Sequence, residues 1–194
     1  MEKITCKFKE SSYKERLAFK NWRNLYNLFP ESEWTVLITP YDGSDVYDVL
    51  VQNRSYKRII IEIKVRGELA TQKGIEEGFF YESKKHKSLT DLKDLDPDNN
   101  TIMYINFTTK GTYVWNINKI ELKSIKREMN KATMNSNDKV NKSVYLLDVA
   151  DAKFYSYVYD DLQYWNDTVN VDKAVRLSKT CRGGYVNMLL PWEV

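Results

Sequence analysis

The chain has 194 residues, of which 42% are hydrophobic and 29% are charged, and its formal net charge is +3. This length allows one domain with a real hydrophobic core and room for an added lobe. No apolar run approaches the roughly 20 residues that cross a membrane. The N-terminal segment is charged from its first residues, unlike a secretory signal. We therefore expect an intracellular, cytoplasmic protein without a membrane partner.

Cysteine and histidine are too scarce for several common kinds of site. Cys6 and Cys181 are the only cysteines, and His86 is the only histidine. Two distant thiols indicate neither a disulfide framework nor a zinc site. A single histidine disfavours histidine-rich metal sites and a Ser-His-Asp triad. Any hydrolytic chemistry would therefore depend on carboxylates, lysines or tyrosines.

The first elements in chain order are a helix and three strands. The helix is predicted over residues 11–29, with Ser12 and Glu15 in a capping box and Pro30 ending it. Turns that contain Asp, Gly, Asn or Ser separate the strands that follow. These strands are predicted at 34–40, 45–52 and 56–66. The third of them, YKRIIIEIKVR, has the strongest strand pattern in the chain.

Helix and strand patterns alternate beyond residue 66. The next segment opens loosely between Gly67 and Gly78 and then continues as a helix to about Leu92. A hairpin around Lys110-Gly111 follows. We further predict a helix, a polar linker and a strand. These elements are the hairpin strands 101–107 and 112–117, the helix 120–133, the linker 135–142 and the strand 143–149. The order predicts an α/β fold with a sheet flanked by helices.

Three charged side chains interrupt otherwise apolar strands. Side chains alternate between the two faces of a strand. Glu62 and Lys64 therefore share one face, while the isoleucines around them occupy the other. Asp48 interrupts the preceding strand, fourteen positions before Glu62. Unpaired charges inside a sheet are costly, so the trio predicts either a functional site or a structural arrangement. The structural alternatives are a buried ion pair and edge-strand charges that oppose aggregation.

Two carboxylates and an ammonium on adjacent strands suit metal-dependent phosphodiester chemistry. Asp48 and Glu62 supply the oxygen ligands that Mg²⁺ (or Mn²⁺) prefers, and the backbone carbonyl of Ile63 lies between the two side chains of its strand. A bound divalent cation polarises a phosphodiester and lowers the pKa of a coordinated water. Lys64 would orient that water or stabilise charge on the phosphate.

The segments DVLV and RIIIEIK resemble the signature of the PD-(D/E)XK nucleases. The resemblance covers about residues 10–107 and is closest to archaeal-type Holliday-junction resolvases. It implies an αβββαβ restriction-endonuclease-like core with a mixed central sheet flanked by helices, plus an appended C-terminal region. We accordingly divide the chain into a nuclease core, 1–118, and a C-terminal extension, 119–194. The extension would pack on the core and serve substrate binding or dimerisation.

The first helix contributes a further part of the resemblance. The resolvase-like proteins carry a glutamate there, often followed by arginine, and Glu15-Arg16 matches this pair in type and order. Glu15 would then be a metal-site or water-binding carboxylate, unless the capping box is its whole role. Other positions depart from the pattern. Tyr47 replaces the proline that often precedes the strand aspartate, and Asp45 is a rival carboxylate.

The resemblance implies a metal-dependent DNA endonuclease with Asp48, Glu62, Lys64 and Glu15 as catalytic residues. Resolution of branched DNA is the leading specific activity, and cutting two strands would require a homodimer. One alternative is a catalytically inactive nuclease-fold protein that binds nucleic acid or assists assembly. A second is a restriction-type or exonuclease-like member of the same superfamily.

Several further residues are candidate contacts to nucleic acid. Arg16, Lys73 and Lys84 are predicted to contact DNA, although the two lysines would equally suit a solvated helix face. The stretch 119–142 holds seven basic and three acidic residues, which fits either a phosphate backbone or a solvated surface. Tyrosines concentrate from residue 145 onward, and we interpret them as core or interface residues rather than base-stacking platforms. His86 is expected at the surface.

Overall fold

The computed structural model describes residues 2–39, 45–130 and 139–156. Within these ranges the chain forms three α-helices and nine strands, besides short 3-10 turns. The helices are α1 (Glu2–Leu25), α2 (Glu68–Glu77) and α3 (Ser83–Lys93). The strands are β1 (Trp34–Ile38), β2 (Val49–Asn53), β3 (Arg58–Val65), β4 (Phe79–Glu82), β5 (Asn100–Phe107), β6 (Gly111–Asn116), β7 (Lys123–Asn130), β8 (Lys139–Leu147) and β9 (Lys153–Ser156).

Six of these strands form the central sheet, in the order β1-β2-β3-β5-β6-β9. Strands β3 and β5 are parallel, and the other neighbours in this sheet are antiparallel. The parallel pair needs a crossover, which α2, β4 and α3 provide. A smaller antiparallel sheet has the order β4-β8-β7. The predicted α/β fold with a mixed central sheet and flanking helices is confirmed at this level.

Strand β3 lies between β2 and β5, and hydrophobic clusters cover both of its faces. Ile61 and Ile63 pack on one face with Phe19 and Trp22 of α1. Ile60 belongs to a second cluster on the other face, which includes residues of β5, β6 and α3. Full burial of each large aliphatic side chain contributes roughly 1.5–3 kcal/mol. The predicted alternation in β3 is confirmed, since Ile59, Ile61, Ile63 and Val65 all join the first cluster.

Two boundaries at the start of the chain differ from the prediction. Helix α1 begins at Glu2, so Ser12 lies in the helix interior and the predicted capping box is wrong. Strand β2 begins at Val49, so Asp48 lies immediately before the strand rather than within it. Asp45 is exposed and outside any strand.

Two helix predictions in the middle of the chain are wrong. The segment predicted as a continuous helix to about Leu92 contains the short strand β4. The helix predicted over 120–133 is replaced up to Asn130 by strand β7, which pairs with β8 over its whole length. The predicted polar linker loses 139–142 to β8. The hairpin β5–β6 and the strand near 143–149 are confirmed, the latter within β8.

Strands beyond residue 118 are integrated into both sheets. Strand β8 pairs with β4, and β9 pairs with the edge of β6. The Gly-Gly turn of the tail and the tyrosines from 157 onward lie outside the described residues. Among the described helices, none combines the length and apolarity needed to span a bilayer.

Candidate active site

Three parts of the fold bring the predicted carboxylates and lysine together. Helix α1 supplies Glu15, the residue before β2 is Asp48, and β3 supplies Glu62 and Lys64. The three acidic residues are only 8%, 7% and 4% exposed. The Lys64 side chain is 29% exposed, so it connects the buried cluster to solvent. The residues predicted from strand alternation and from the first helix thus share one location.

Lys64 lies at the centre of three oxygen atoms. Its Nζ is 2.9 Å from Glu62 Oε1 and 3.3 Å from Glu15 Oε1. It also donates to the backbone carbonyl of Ile63 at 2.8 Å. Two carboxylates and a carbonyl therefore already surround one positive charge. This arrangement links α1 to β3 through a single ammonium group.

Asp48 is held by the backbone of β3 and by α1. Its Oδ2 accepts a hydrogen bond from the Ile63 backbone N–H at 2.6 Å, and its Oδ1 is 2.7 Å from Arg16 Nη1. Arg16 also donates from Nε to the Thr39 carbonyl and from Nη2 to the Thr39 hydroxyl. The predicted DNA contact Arg16 therefore points into the fold, where it orients Asp48.

A second lysine, Lys85, contacts Glu62 on the face of the sheet that α3 covers. Lys85 Nζ lies 2.7 Å from Glu62 Oε2, an ion pair whose atoms are not aligned as a hydrogen bond. Lys84 and Lys73, the lysines predicted to contact DNA, are both exposed on their helices. The sequence did contain a signal for Lys85. This lysine is four residues before the buried Leu89, so both residues lie on the same inward face of the helix.

Burial and neighbouring charges set the protonation of the cluster. Burial, reinforced by Asp48 and Glu62, raises the pKa of Glu15 to about 7 against the opposing charge of Lys64. Burial also raises the pKa of Glu62. Burial acts in the same direction on Asp48, but Lys64 and Arg16 outweigh it and lower the pKa of that carboxyl.

Lys64 keeps its proton at neutral pH. Burial alone would lower its pKa, but the negative charges of Glu62, Glu15 and Asp48 outweigh that effect and raise it. The Lys64 side chain is therefore positively charged and a hydrogen-bond donor, and it is not available as a base.

The oxygen atoms of the cluster are of the kind that hard cations take as ligands. In the part of the chain that the structure describes, no three carboxylate, imidazole or thiolate groups form a ready-made metal-ligand set. The oxygens that do converge are those of Glu62, Glu15 and the Ile63 carbonyl, around the Lys64 ammonium. Carboxylate and carbonyl oxygens are the ligands that Mg²⁺ takes in proteins.

Aromatic residues pack beside the Glu62 end of the site. His86 is half-buried, and its ring contacts those of Tyr81 and Tyr145 at 5.5 and 5.0 Å between centroids. The expectation of a surface histidine is therefore wrong. Burial lowers the pKa of His86, so the ring is neutral at pH 7. Tyr145 and Tyr155 pack against the two hydrophobic clusters, in agreement with a core role.

No protein-family model matches the sequence, and no curated protein matches it at a significant level.

Proposed function

We propose that this chain is a Mg²⁺-dependent nuclease of the PD-(D/E)XK type that hydrolyses phosphodiester bonds in DNA. The observation that carries the proposal is the contact of Lys64 with Glu62, Glu15 and the Ile63 carbonyl, next to Asp48. The order of elements supports it. Helix α1, the β1–β3 meander and a helical crossover to a parallel β5 follow the αβββαβ pattern, with β4 as an addition.

The residues suited to hold the metal are Asp48, Glu62 and the carbonyl of Ile63. A bound Mg²⁺ would polarise the phosphodiester and lower the pKa of a water molecule. Lys64, which stays protonated, would donate to that water or to a phosphate oxygen where negative charge develops. Glu15 would position the Lys64 ammonium, and Arg16 would fix the orientation of Asp48.

The resemblance over about residues 10–107 favours branched DNA as the substrate. A junction-resolving enzyme cuts two strands symmetrically and would act as a homodimer. Restriction-type or exonuclease-like action would use the same residues, so the substrate preference must come from cleavage assays.

The charge balance of the cluster favours a second candidate, a nuclease-fold protein that binds nucleic acid without cutting it. Each of the three carboxylates has at least one cationic partner. The acidic residues are Glu15, Asp48 and Glu62, and the basic residues are Arg16, Lys64 and Lys85. Such a neutral, nearly buried network could be structural alone. A metal must displace some of these contacts, which makes metal binding the deciding measurement.

Cleavage of a panel of labelled DNAs tests the proposed activity. The panel consists of a four-way junction, a flap, a duplex and a single strand, each with Mg²⁺, Mn²⁺ or EDTA. We expect metal-dependent cleavage that falls on the order of 10²–10³-fold in Glu62→Gln and in Lys64→Ala. Lys87→Ala is the control, because Lys87 is 78% exposed and its ion-pair partner among the described residues is the neighbouring Asp91. Cleavage that persists in both site variants would assign the activity to another site or a contaminant.

Thermal unfolding with increasing Mg²⁺ or Mn²⁺ separates the two candidates. A ligand that binds only the folded state raises Tm with concentration. We expect a rise in Tm for the wild type that is lost in Glu62→Gln. A wild-type protein that neither binds the metals nor cleaves any DNA would support the binding-protein candidate.

A further inference from the structure

The polar face of β3 continues beyond Lys64 to Arg66. Along this face Glu62, Lys64 and Arg66 follow one another at every second residue, so the Cα atoms of Lys64 and Arg66 are about 7 Å apart. Arg66 is half-buried. Its backbone N–H donates to the Phe107 carbonyl at 2.7 Å, so the residue is tied to β5 just after the last paired residue of β3.

The guanidinium of Arg66 turns back across β5 toward the candidate active site. Its Nε donates to Asn106 Oδ1 at 3.1 Å, and its Nη2 donates to the Tyr104 hydroxyl at 3.3 Å. The strand register places Asn106 opposite Lys64 and Tyr104 opposite Glu62. Arg66 therefore contacts the two residues that lie directly across the sheet from the catalytic pair, about 4.8 Å away between strands.

A relay of hydrogen bonds fixes the orientation of this guanidinium. Tyr104 donates its hydroxyl proton to the Phe80 carbonyl at 3.0 Å, so its oxygen is free to accept from Arg66. Asn106 is fully buried, and its carbonyl oxygen faces Arg66 while its Nδ2 has no hydrogen-bond partner among the described residues. Both contacts are to neutral groups. The positive charge is held in place without being neutralised.

Arg66 differs in this respect from the other cations of the site. Arg16, Lys64 and Lys85 each pair with a carboxylate. Within the described ranges Arg66 forms no ion pair with a carboxylate, and its side-chain hydrogen bonds come from Nε and Nη2. A charge that is partly removed from water is stabilised when an anion binds it. A guanidinium is also the group best suited to hold a phosphate through two parallel hydrogen bonds.

We propose that Arg66 binds a phosphate of the nucleic-acid backbone next to the phosphodiester at Lys64. The inference rests on the proposed nuclease function and adds a substrate-binding residue to it. Arg66 supplies charge and a fixed direction, while Glu62 and Lys64 face the reacting group. Phosphate contacts position a nucleic acid without reading its sequence, so Arg66 should affect all DNAs of the panel alike.

Arg58 provides a matched control at the other end of the same strand face. It is half-buried, and its Nε donates to the neutral Gln52 side chain at 2.8 Å. It lacks a carboxylate partner among the described residues, as Arg66 does. Six residues separate it from Lys64, roughly 20 Å along an extended strand. Arg58→Gln and Arg66→Gln therefore remove the same chemistry far from and close to the site.

Binding of fluorescein-labelled DNA in EDTA, followed by anisotropy from roughly 50 to 200 mM salt, tests the inference without cleavage. We expect Arg66→Gln to bind about tenfold more weakly than wild type. The slope of log affinity against log salt should fall by about one. Arg58→Gln should keep both values. Arg66→Lys should keep the slope, since the charge remains, and lose affinity several-fold with its paired donors.

The outcomes separate this inference from the proposed function. A wild-type protein that cleaves DNA while Arg66→Gln retains its affinity and salt slope would overturn the role of Arg66 alone. A wild-type protein without DNA binding or cleavage would overturn both. Thermal unfolding of each variant checks folding. Should Arg66→Gln not fold, Arg66→Lys decides, and wild-type affinity in that variant would assign Arg66 a purely structural role.

Discussion

Lys85 of α3 lies 2.7 Å from Glu62 of β3, on the carboxylate oxygen that Lys64 does not contact. A single buried carboxylate thus joins two ammonium groups from different elements. The crossover that connects β3 to β5 carries Lys85, so the same chain segment that makes the sheet parallel also completes the site. This contact makes α3 part of the proposed catalytic machinery.

Replacement of Lys85 should reduce cleavage far more than replacement of its neighbour Lys84. Lys85→Ala removes a charge that stabilises the ionised form of Glu62, whereas Lys84 is exposed on the same helix. We expect a loss of about tenfold or more for Lys85→Ala and of at most a few-fold for Lys84→Ala. Initial cleavage rates at saturating Mg²⁺ provide the measurement. Equal rates in the two variants would exclude Lys85 from the site.

The stability of the protein should fall between about pH 4.5 and pH 7 through Glu15. Its pKa is about 7 in the folded state against an ordinary value of 4.5. The folded state therefore binds more protons than the unfolded state in this window, and its advantage is complete below 4.5 and lost above 7. The change attributable to Glu15 is at most about 3 kcal/mol.

Urea unfolding of wild type and Glu15→Gln across this pH range measures the effect. The other acidic groups are common to both proteins, so the difference between their unfolding free energies isolates Glu15. We expect wild type to lose stability relative to Glu15→Gln as the pH rises. A difference that stays constant from about pH 5 to pH 8 would contradict the raised pKa.

Removal of Arg16 should destabilise the fold because it leaves Asp48 buried without its guanidinium partner. Both side chains are nearly buried, at 12% and 10% exposure. Breaking such a pair from one side costs about 3 kcal/mol or more. Arg16→Met should show this loss in urea unfolding, and the double variant with Asp48→Asn should recover part of it.

The exposed pair Lys87–Asp91 is the comparison for Arg16. Its side chains are 78% and 64% exposed, so Lys87→Met should change the unfolding free energy by less than about 1 kcal/mol. If Arg16→Met has no larger effect than Lys87→Met, the ion pair with Asp48 does not form in solution.

A side chain at Gly78 should destabilise the protein, because this residue joins α2 to β4 with a positive φ of 85°. A Cβ there would lie 2.7 Å from Leu146 Cδ1 and 2.9 Å from the Leu147 carbonyl oxygen of β8. We expect Gly78→Ala to cost about 1–3 kcal/mol in urea unfolding. Gly67→Ala, with no atom within 4 Å of the added Cβ, should cost much less. Equal costs would mean that β4 is not seated on β8 as described.

The strands with strong alternation were predictable because their residue types favour strands and their apolar residues recur on the buried face. Strand β3 combines β-branched residues with a period of two, and both its position and the face that packs against α1 follow from that pattern. The segment KSIKREMN of β7 lacks both the β-branched run and the strict alternation of β3. Ile125 and Met129 are four residues apart, a spacing that suits a helix as well as a strand. Pairing with β8 decides the outcome.

In the candidate site, too, some residues were predictable from local sequence and others depend on tertiary packing. Glu62 and Lys64 were predictable from one strand, and Glu15 from its order in the first helix. Lys85 was not, because its role depends on how α3 crosses from β3 to β5 and which helical face meets the sheet. The inward turn of Arg16 toward Asp48 likewise depends on the packing of α1 across β2, which no local pattern specifies.

The sequence by itself determined the central strand, its two faces, the β5–β6 hairpin and the charges that interrupt an apolar sheet. These features depend on residues close together in the chain, and the periodicity of the apolar residues indicates which face is buried. Only the tertiary structure decided the strand order, the insertion of β4, the partners of each buried charge and the position of Arg66 beside the site. Such contacts join residues far apart in the chain, and their energy depends on geometry that exists only after the elements pack.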